Sequence, residues 1–438
     1  MSSSSPSLKV LPALDFDSNG GKIAVVTEES GTVTQDNVSV SGKLTVEFLK
    51  EGLNTRWFFK CIGHGSGIKF GECKIKFGSR ELLGEIYSIA NTGISGFVID
   101  SVTCGTEHKL SQVTTHFQEF PYFKFQEESC RYVVAQKIKP LDVDMNHDGL
   151  KVTLCSCRGI KEANGFKGLM KVTALAEFSQ SRIPVLIEQM HYFLSFAFGG
   201  WVSPAFTSGG NSKYEKFYSH FENYPSDKAR NLKGWLPNGQ QRCLAEAFPG
   251  FVDRFTTEGW KEPLPKAIKW LLGTLASTRE SNEQKMSYAQ IPLEMLAWQV
   301  FCDSNDVIPE GEFEKLSAAT KFSLLLNNAK VPTCIPTELT NLLKVKAERS
   351  ALNNGPKLIV KFRNTIIHPS KQKSKYLRDI ENDCDVKLND VYREALYLYE
   401  WYTTMIILRL INYNGVYAKR FGNPWNPEVE QVPWANKG

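Results

Sequence analysis

No CxxC pair occurs among the ten cysteines of this 438-residue chain. Only Cys155 and Cys157 lie close together, and zinc ribbons and disulfide frameworks both need a more regular spacing. We therefore expect free thiols and no metal or other cofactor. The first residues, MSSSSPS, also lack the basic and apolar regions of a secretory signal, so the sequence predicts a cytoplasmic protein.

Long hydrophobic runs without charge are missing as well. The two most apolar stretches are residues 183–206, which include Glu188, and residues 396–411, which include Glu400 and Arg409. Charged side chains are costly inside a membrane span, so neither stretch is expected to cross a bilayer. Both are predicted to be buried core helices, and no membrane partner is expected.

What the sequence does contain is typical of a folded globular protein, with 42% hydrophobic and 23% charged residues. Its length of 438 residues suggests two or three domains. Short runs rich in Val, Ile, Phe, Tyr and Thr fill the first part, and alternation is clearest in residues 69–77 and 149–157. This pattern predicts an antiparallel sandwich or barrel.

Helical periodicity dominates the second part of the chain. The predicted helices cover residues 184–198, 264–277, 288–302, 312–326, 336–348, 358–368 and 388–412. Strands followed by helices indicate an α+β fold, in which an N-terminal antiparallel β-rich domain precedes an all-α domain. Residues 203–237 are rich in Gly, Ser, Asn and aromatics, which favours an irregular loop that contacts a substrate or a partner.

These patterns divide the chain into five parts. We expect a disordered tail (1–7), a β-rich recognition or sensor domain (8–165), a helical and irregular connecting region (175–260), a helical domain (261–420) and a C-terminal tail that packs on the helical domain (421–438).

Positive charge is concentrated in residues 344–378, although the formal net charge of the whole chain is only +5. This window contains ten Lys and Arg residues and one acidic residue, Glu348. Such a cluster indicates either a local site for a polyanion or a solvated positive face.

The segment KFRNTIIHP lies inside this basic window. On a helix, Asn364 and His368 are four residues apart and share a face, and the long side chain of Arg363 reaches the same side. Pro369 disfavours helical geometry in the preceding residue, so we expect the helix to end at His368. A histidine that can exchange a proton beside an arginine that fits phosphate oxygens suits metal-free RNA cleavage by the 2′-hydroxyl.

The run RNTIIHP matches the R-N-x-x-x-H signature of the HEPN superfamily, a set of all-helical domains that includes many ribonucleases. The C-terminal part of the chain, with its long helix at 388–412, resembles the ApeA-like HEPN group of bacterial defence proteins. The resemblance implies that Arg363 and His368 are catalytic and that Asn364 supports them. It also implies a homodimer, or a higher homo-oligomer, in which two motifs face one cleft.

By the same resemblance, the expected substrate is tRNA or mRNA and the expected role is abortive anti-phage defence. A phage protein acting on the N-terminal domain would be the trigger. These expectations come from the resemblance and from the order of the domains.

Further residues are expected to support the motif. Glu294 lies in the strongly apolar helix predicted over 288–302, where a carboxylate needs a partner; Arg363 is one candidate, and an ordinary surface position is the alternative. Five lysines flank the motif and are predicted to contact RNA phosphates: Lys357, Lys361, Lys371, Lys373 and Lys375.

Two other classes of protein stay open at this point. A non-catalytic HEPN-type module for RNA binding or assembly would bind RNA without cleaving it. A DNA-binding regulator is the third class, although the sequence has no evident helix-turn-helix signature.

Overall fold

The architecture comes from a computed structural model, which describes residues 22–49, 54–61, 67–78, 80–99, 101–105, 109–117, 120, 143–156, 168–210, 216–222, 224–227, 233–276, 280–304, 306–368, 370–421 and 427–435. The chain divides into two units, one within Met1–His191 and Val202–Ala229 and the other within Tyr192–Trp201 and Arg230–Gly438. The tail predicted at residues 1–7 lies outside the described residues.

The first unit contains a closed six-stranded barrel. Its strands are β1 (Lys22–Gln35), β2 (Val38–Leu49), β3 (Asn54–Cys61), β4 (Gly71–Phe77), β5 (Arg80–Ala90) and β6 (Gly93–Val98). They pair antiparallel in the order β1-β2-β3-β6-β5-β4 and close back onto β1. Strand β4 shows the alternation expected of a strand with one face in the core. Cys73, Ile75 and Phe77 are buried, whereas the lysines between them are exposed.

The first unit also contains a seven-stranded antiparallel sheet. It is formed by β7 (Ser101–Gly105), β8 (Leu110–Phe117), β9 (Val143–His147), β10 (Leu150–Ser156), β11 (Gly168–Phe178), β12 (Pro204–Gly210) and β13 (Lys216–Glu222). The strand order is β7-β13-β12-β8-β11-β10-β9. The prediction of an antiparallel β-rich N-terminal region is therefore confirmed.

Two of these strands, β12 and β13, lie in the stretch for which the sequence predicted an irregular loop. Strand β12, PAFTSGG, is buried along its whole length between β8 and β13. Its small residues leave room for close neighbours, and Thr207 hydrogen-bonds Thr115 across the ladder at 2.9 Å. Sequence patterns miss such a strand because Ser and Gly also mark turns.

Helices dominate the second unit, which the chain enters within α1 (Arg182–Phe198). The others are α2 (Arg242–Thr256), α3 (Pro263–Ala276), α4 (Asn282–Ala289), α5 (Ile291–Trp298), α6 (Glu310–Lys315), α7 (Ala318–Asn328), α8 (Thr340–Glu348), α9 (Gly355–Ile367), α10 (Lys371–Cys384) and α11 (Leu388–Leu410). A π-helical turn, Gln299–Asp303, extends α5, and a 3₁₀ turn, Ser350–Leu352, precedes α9. A two-stranded sheet follows, with β14 (Val416–Lys419) and β15 (Glu428–Gln431).

The α+β class is thus confirmed, but α2 and most of α4 lie outside the predicted helices, and two further details of the helical part differ from the prediction. Residues 312–326, expected to be one helix, are divided between α6 and α7, because the Ser317 hydroxyl caps α7 by accepting from Thr320 N at 3.2 Å. Helix α10 was not predicted at all. Only Ile380 and Cys384 of α10 are buried, so its sequence carries little hydrophobic periodicity.

Helix α11 lies at the centre of the helical unit. It contacts α3, α4, α5, α7, α8, α9 and α10, and most of its side chains are buried. The two apolar stretches predicted as core helices form α1 and α11, although residues 204–206 of the first stretch belong to β12. Among the described helices, none combines the length and the apolar character that crossing a bilayer requires.

One buried carboxylate joins α11 to α8. Glu394 is 7% exposed. It accepts from Leu342 N at 3.0 Å and from Asn341 Nδ2 at 2.6 Å, so it satisfies backbone and side-chain donors in the first turn of α8. No side chain at the N-cap position of α8 does this.

We expect Glu394→Gln to lower the free energy of unfolding by about 1–3 kcal/mol, because an amide NH₂ would face one of two buried donors. Urea denaturation followed by circular dichroism measures this. The matched control is Glu348→Gln, which changes an exposed glutamate at the end of α8. Equal stability of the two variants would contradict the capping role.

Candidate functional site

The motif predicted from the sequence lies at the C-terminal end of α9. This helix begins where Asn354 Oδ1 accepts from Lys357 N at 3.0 Å, with Pro356 in the first turn. Its buried residues include Leu358, Ile359 and Phe362, and the helix contacts α4, α7 and α11. The apolar face of α9 therefore fixes the orientation of its last turn.

Close packing also sets the start of α9. A Cβ added at Gly355 would overlap with the Tyr402 hydroxyl oxygen on α11. Tyr402 is buried and donates to Thr333 O at 3.4 Å, so it has little freedom to move away. Glycine at this position allows α9 to approach α11 closely.

The expectation that the helix ends at His368 is confirmed. His368 has φ −120° and ψ 71°, outside the helical region, and its backbone N–H donates to Asn364 O at 3.3 Å. The His368 side chain is exposed. It therefore projects from the helix end, where it is accessible to a ligand.

Arg363 and Asn364 contact each other directly. Arg363 Nη1 donates to Asn364 Oδ1 at 3.2 Å, and both side chains are half-buried. Within the described residues, Arg363 Nε is buried and has no hydrogen-bond partner. A buried donor without an acceptor is costly, and a guanidinium edge of this kind fits an oxyanion such as phosphate.

Glu294 does not form the ion pair with Arg363 that the sequence suggested. It accepts from Gln290 Nε2 at 2.9 Å, and Gln290 Oε1 accepts from the Tyr399 hydroxyl at 3.3 Å. Burial raises the pKa of Tyr399 well above its ordinary value, while the charge of Arg363 lowers this pKa and that of Glu294 raises it. The charges of Arg363 on α9 and Glu294 on α5 thus both affect the pKa of the buried Tyr399 hydroxyl.

Two of the five lysines that were predicted to contact RNA instead contact other groups of the protein. Lys373 Nζ donates to Asn364 O at 2.9 Å, which ties α10 to the end of α9. Lys361 Nζ lies 4.7 Å from the centre of the Tyr376 ring, a cation–π distance. The other three are exposed: Lys357, Lys371 and Lys375.

Helix α10 divides the basic window into two parts. Its second half carries acidic residues, and Asp383 pairs with Arg349 while Asp385 lies 3.9 Å from Lys344. The helix is capped by Ser370 and begins three residues after His368, and its first two turns carry Lys371, Lys373 and Lys375. Positive charge is therefore partly neutralised at one end of α10 and concentrated beside the motif at the other.

A group of three glutamates offers the only donor set for a metal among the described residues. These residues are Glu338, Glu428 and Glu430. Lys419 Nζ binds Glu430 Oε1 at 2.8 Å and also binds Glu338. The ammonium group supplies the positive charge that a cation would bring, so this cluster is best described as an ion-pair network.

Comparisons with known proteins find two domain family models that are similar to segments of this chain. Residues 257–431 match the family model described as the YopA C-terminal domain, and residues 106–232 match the one described as the YopA central domain. The first match includes α3 to α11 and therefore Arg363, Asn364 and His368; the second includes β8 to β13.

A curated protein named YopA is also similar to this chain. The chain is 26% identical over 262 residues to the SPbeta prophage-derived uncharacterized protein YopA of Bacillus subtilis (strain 168). The alignment covers 59% of this chain and 55% of the relative, so it spans little more than half of that protein's length. No solved structure matches the chain significantly.

The unpartnered Nε of Arg363 leads to a direct test by NMR. We expect inorganic phosphate to shift the Nε–H resonance of Arg363, assigned by its loss in Arg363→Lys. Arg254 is the internal control, because its Nε already donates to Leu410 O at 3.0 Å. Equal shifts at both arginines, or none at Arg363, would show that this edge does not receive anions.

Proposed function

We propose that the chain is a metal-independent endoribonuclease of a bacterial defence or toxin-like system, built on a HEPN-type helical domain. The observation that carries the proposal is the end of α9, where Arg363 has a buried Nε without a partner in the described part of the chain, close in sequence to the exposed His368. A cation for the phosphate and a proton acceptor for the nucleophile are the two groups that RNA cleavage by its own 2′-hydroxyl needs.

In the proposed reaction, His368 removes the proton of a ribose 2′-hydroxyl. The 2′ oxygen bonds to the adjacent phosphorus, the bond from phosphorus to the 5′ oxygen breaks, and the leaving 5′ oxygen takes a proton. The products carry a 2′,3′-cyclic phosphate and a 5′-hydroxyl. Arg363 stabilises the charged phosphorane, and Asn364 holds the guanidinium through its 3.2 Å hydrogen bond. DNA lacks the 2′-hydroxyl and is not cut by this route.

We infer that two copies of the chain act together. One motif supplies a single histidine, whereas the reaction removes a proton at one oxygen and delivers a proton at another. A second copy would supply the second histidine, and the exposure of His368 permits such an approach. The exposed Lys371 and Lys375 would contact the phosphates of the RNA.

The substrates that fit this proposal are tRNA and mRNA in the cytoplasm. In a defence system the N-terminal β-rich unit would act as the sensor, with a phage protein as its trigger. The resemblance of the helical part to ApeA-like HEPN proteins and the separation of the chain into two units support this division of roles.

We expect Arg363→Ala and His368→Ala each to lower the rate of RNA cleavage by about 10²–10⁴, because each removes one chemical group from the reaction. Purified protein is incubated with total tRNA and mRNA in EDTA, and the fragment ends are analysed. Arg393→Ala is the control, since Arg393 is exposed and pairs with Asp390 on its own helix. RNA binding without cleavage by the wild type would instead support a non-catalytic module, and loss of cleavage in EDTA would indicate a metallonuclease.

The proposed RNA contacts lead to a separate expectation. The double variant Lys371→Ala/Lys375→Ala should bind single-stranded RNA more weakly, and its slope of log K against log salt should fall by about 1.4. Fluorescence anisotropy across a salt series measures this. The control Lys266→Ala/Lys315→Ala also removes two exposed lysines, but each of these has a glutamate partner. The same loss of slope in both double variants would contradict a local RNA site.

A further inference from the structure

A cavity that is open to solvent lies within the helical unit beside the second half of α11. Aromatic side chains form much of its wall: Trp235, Tyr397, Trp401, Tyr417 and Phe421. Flat aromatic faces of this kind stack on planar ligands, and nucleobases are the ligands that proteins most often bind in this way.

One carboxylate, Glu400 on α11, borders this aromatic cavity, together with Lys233 and Arg420. Burial raises the pKa of Glu400 to about 7, although Lys233, Lys285 and a hydrogen bond from Thr274 act in the opposite direction. Tyr397 also borders the cavity; burial raises the pKa of its hydroxyl, and the charge of Glu400 raises it further. A carboxylate in such surroundings gains from a ligand that donates hydrogen bonds to it.

A second polar group in the wall lacks a partner. Trp235 is 2% exposed, and within the described residues its buried Nε1 makes no hydrogen bond. Its ring packs against Phe196 and Tyr413, which hold it in place. By contrast, the buried indole of Trp434 donates to Tyr413 O at 2.8 Å. The unpaired Nε1 therefore indicates an acceptor atom on a ligand.

The cavity thus offers a carboxylate that accepts, an indole N–H that donates and aromatic faces that stack. Guanine combines the matching groups: two adjacent N–H donors on its Watson–Crick edge, acceptors at O6 and N7, and a planar ring. Adenine, cytosine and uracil lack the pair of adjacent donors. We propose that this cavity binds a guanine base, from an RNA strand or from a free nucleotide, with the base edge on Glu400 and an acceptor on Trp235.

Intrinsic tryptophan fluorescence tests this in the full-length chain, because Trp235 and Trp401 both line the cavity. We expect GMP and guanosine to quench the fluorescence and to bind at least about tenfold more tightly than AMP, CMP and UMP and their nucleosides. Inorganic phosphate alone should not compete. In the His368→Ala variant, binding of a guanine-containing single-stranded RNA is compared with binding of the same strand with adenine in place of guanine. If the guanine-containing strand binds and GMP does not, the source of the base is an RNA strand.

Two variants assign the contacts. Glu400→Gln should weaken guanine binding at least about tenfold, and Trp235→Phe, which keeps a ring but loses the N–H, should weaken it several-fold. Trp434→Phe and Glu348→Gln are the matched controls and should bind as the wild type does. Because the ionised Glu400 is disfavoured in the folded state, Glu400→Gln should be at least as stable as the wild type at pH 8.

The pH dependence of the affinity shows whether the ligand donates hydrogen bonds to Glu400 or accepts one from it. Guanine donors need the ionised carboxylate, so affinity should fall as the pH is lowered through about 7, and this dependence should vanish in Glu400→Gln. Equal affinity for all four bases, or no binding of GMP or of guanine-containing RNA, overturns the proposal. The assay needs no cleavage, so its outcome is separate from that of the nuclease proposal.

Discussion

The helical unit depends on the burial of one long helix that is not wholly apolar. Helix α11 contacts seven other helices, yet it brings Glu394, Tyr399 and Tyr402 into the interior. Each of these needs a partner, because an unsatisfied polar group in a core is costly. Helix α8 supplies donors to Glu394, Gln290 accepts from Tyr399, and Thr333 accepts from Tyr402. The polar groups of α11 therefore help to specify where its neighbours lie.

The candidate site follows from this arrangement. Helix α9 packs on α11 through its apolar face, and Gly355 permits the close approach to Tyr402. The last turn of α9 is thereby fixed relative to Tyr399, whose pKa responds to both Arg363 and Glu294. Rigid elements thus hold Arg363, while His368 lies at the exposed end. Such an arrangement suits a site that must present fixed charge to a mobile polyanion.

Much of this could be predicted from the sequence where a pattern is repeated over many residues. The α+β class, α1, α11 and the end of α9 at His368 all follow from periodicity or from Pro369. Strand β12 and helix α10 could not be predicted, because β12 consists largely of small residues and α10 buries only two side chains. The partner of Glu294 could not be predicted either. Gln290 lies one helical turn before it, but Tyr399 is 109 residues from Gln290 in the chain.

The position of α10 has one more consequence. Three residues, 368–370, separate the last residue of α9 from the first residue of α10. Lys373 ties the two helices together by its hydrogen bond to Asn364 O. The backbone of His368 is therefore anchored on both sides, and rotation of its side chain is the main freedom that it retains. A ligand that contacts this histidine has little chain entropy to remove, which favours its affinity.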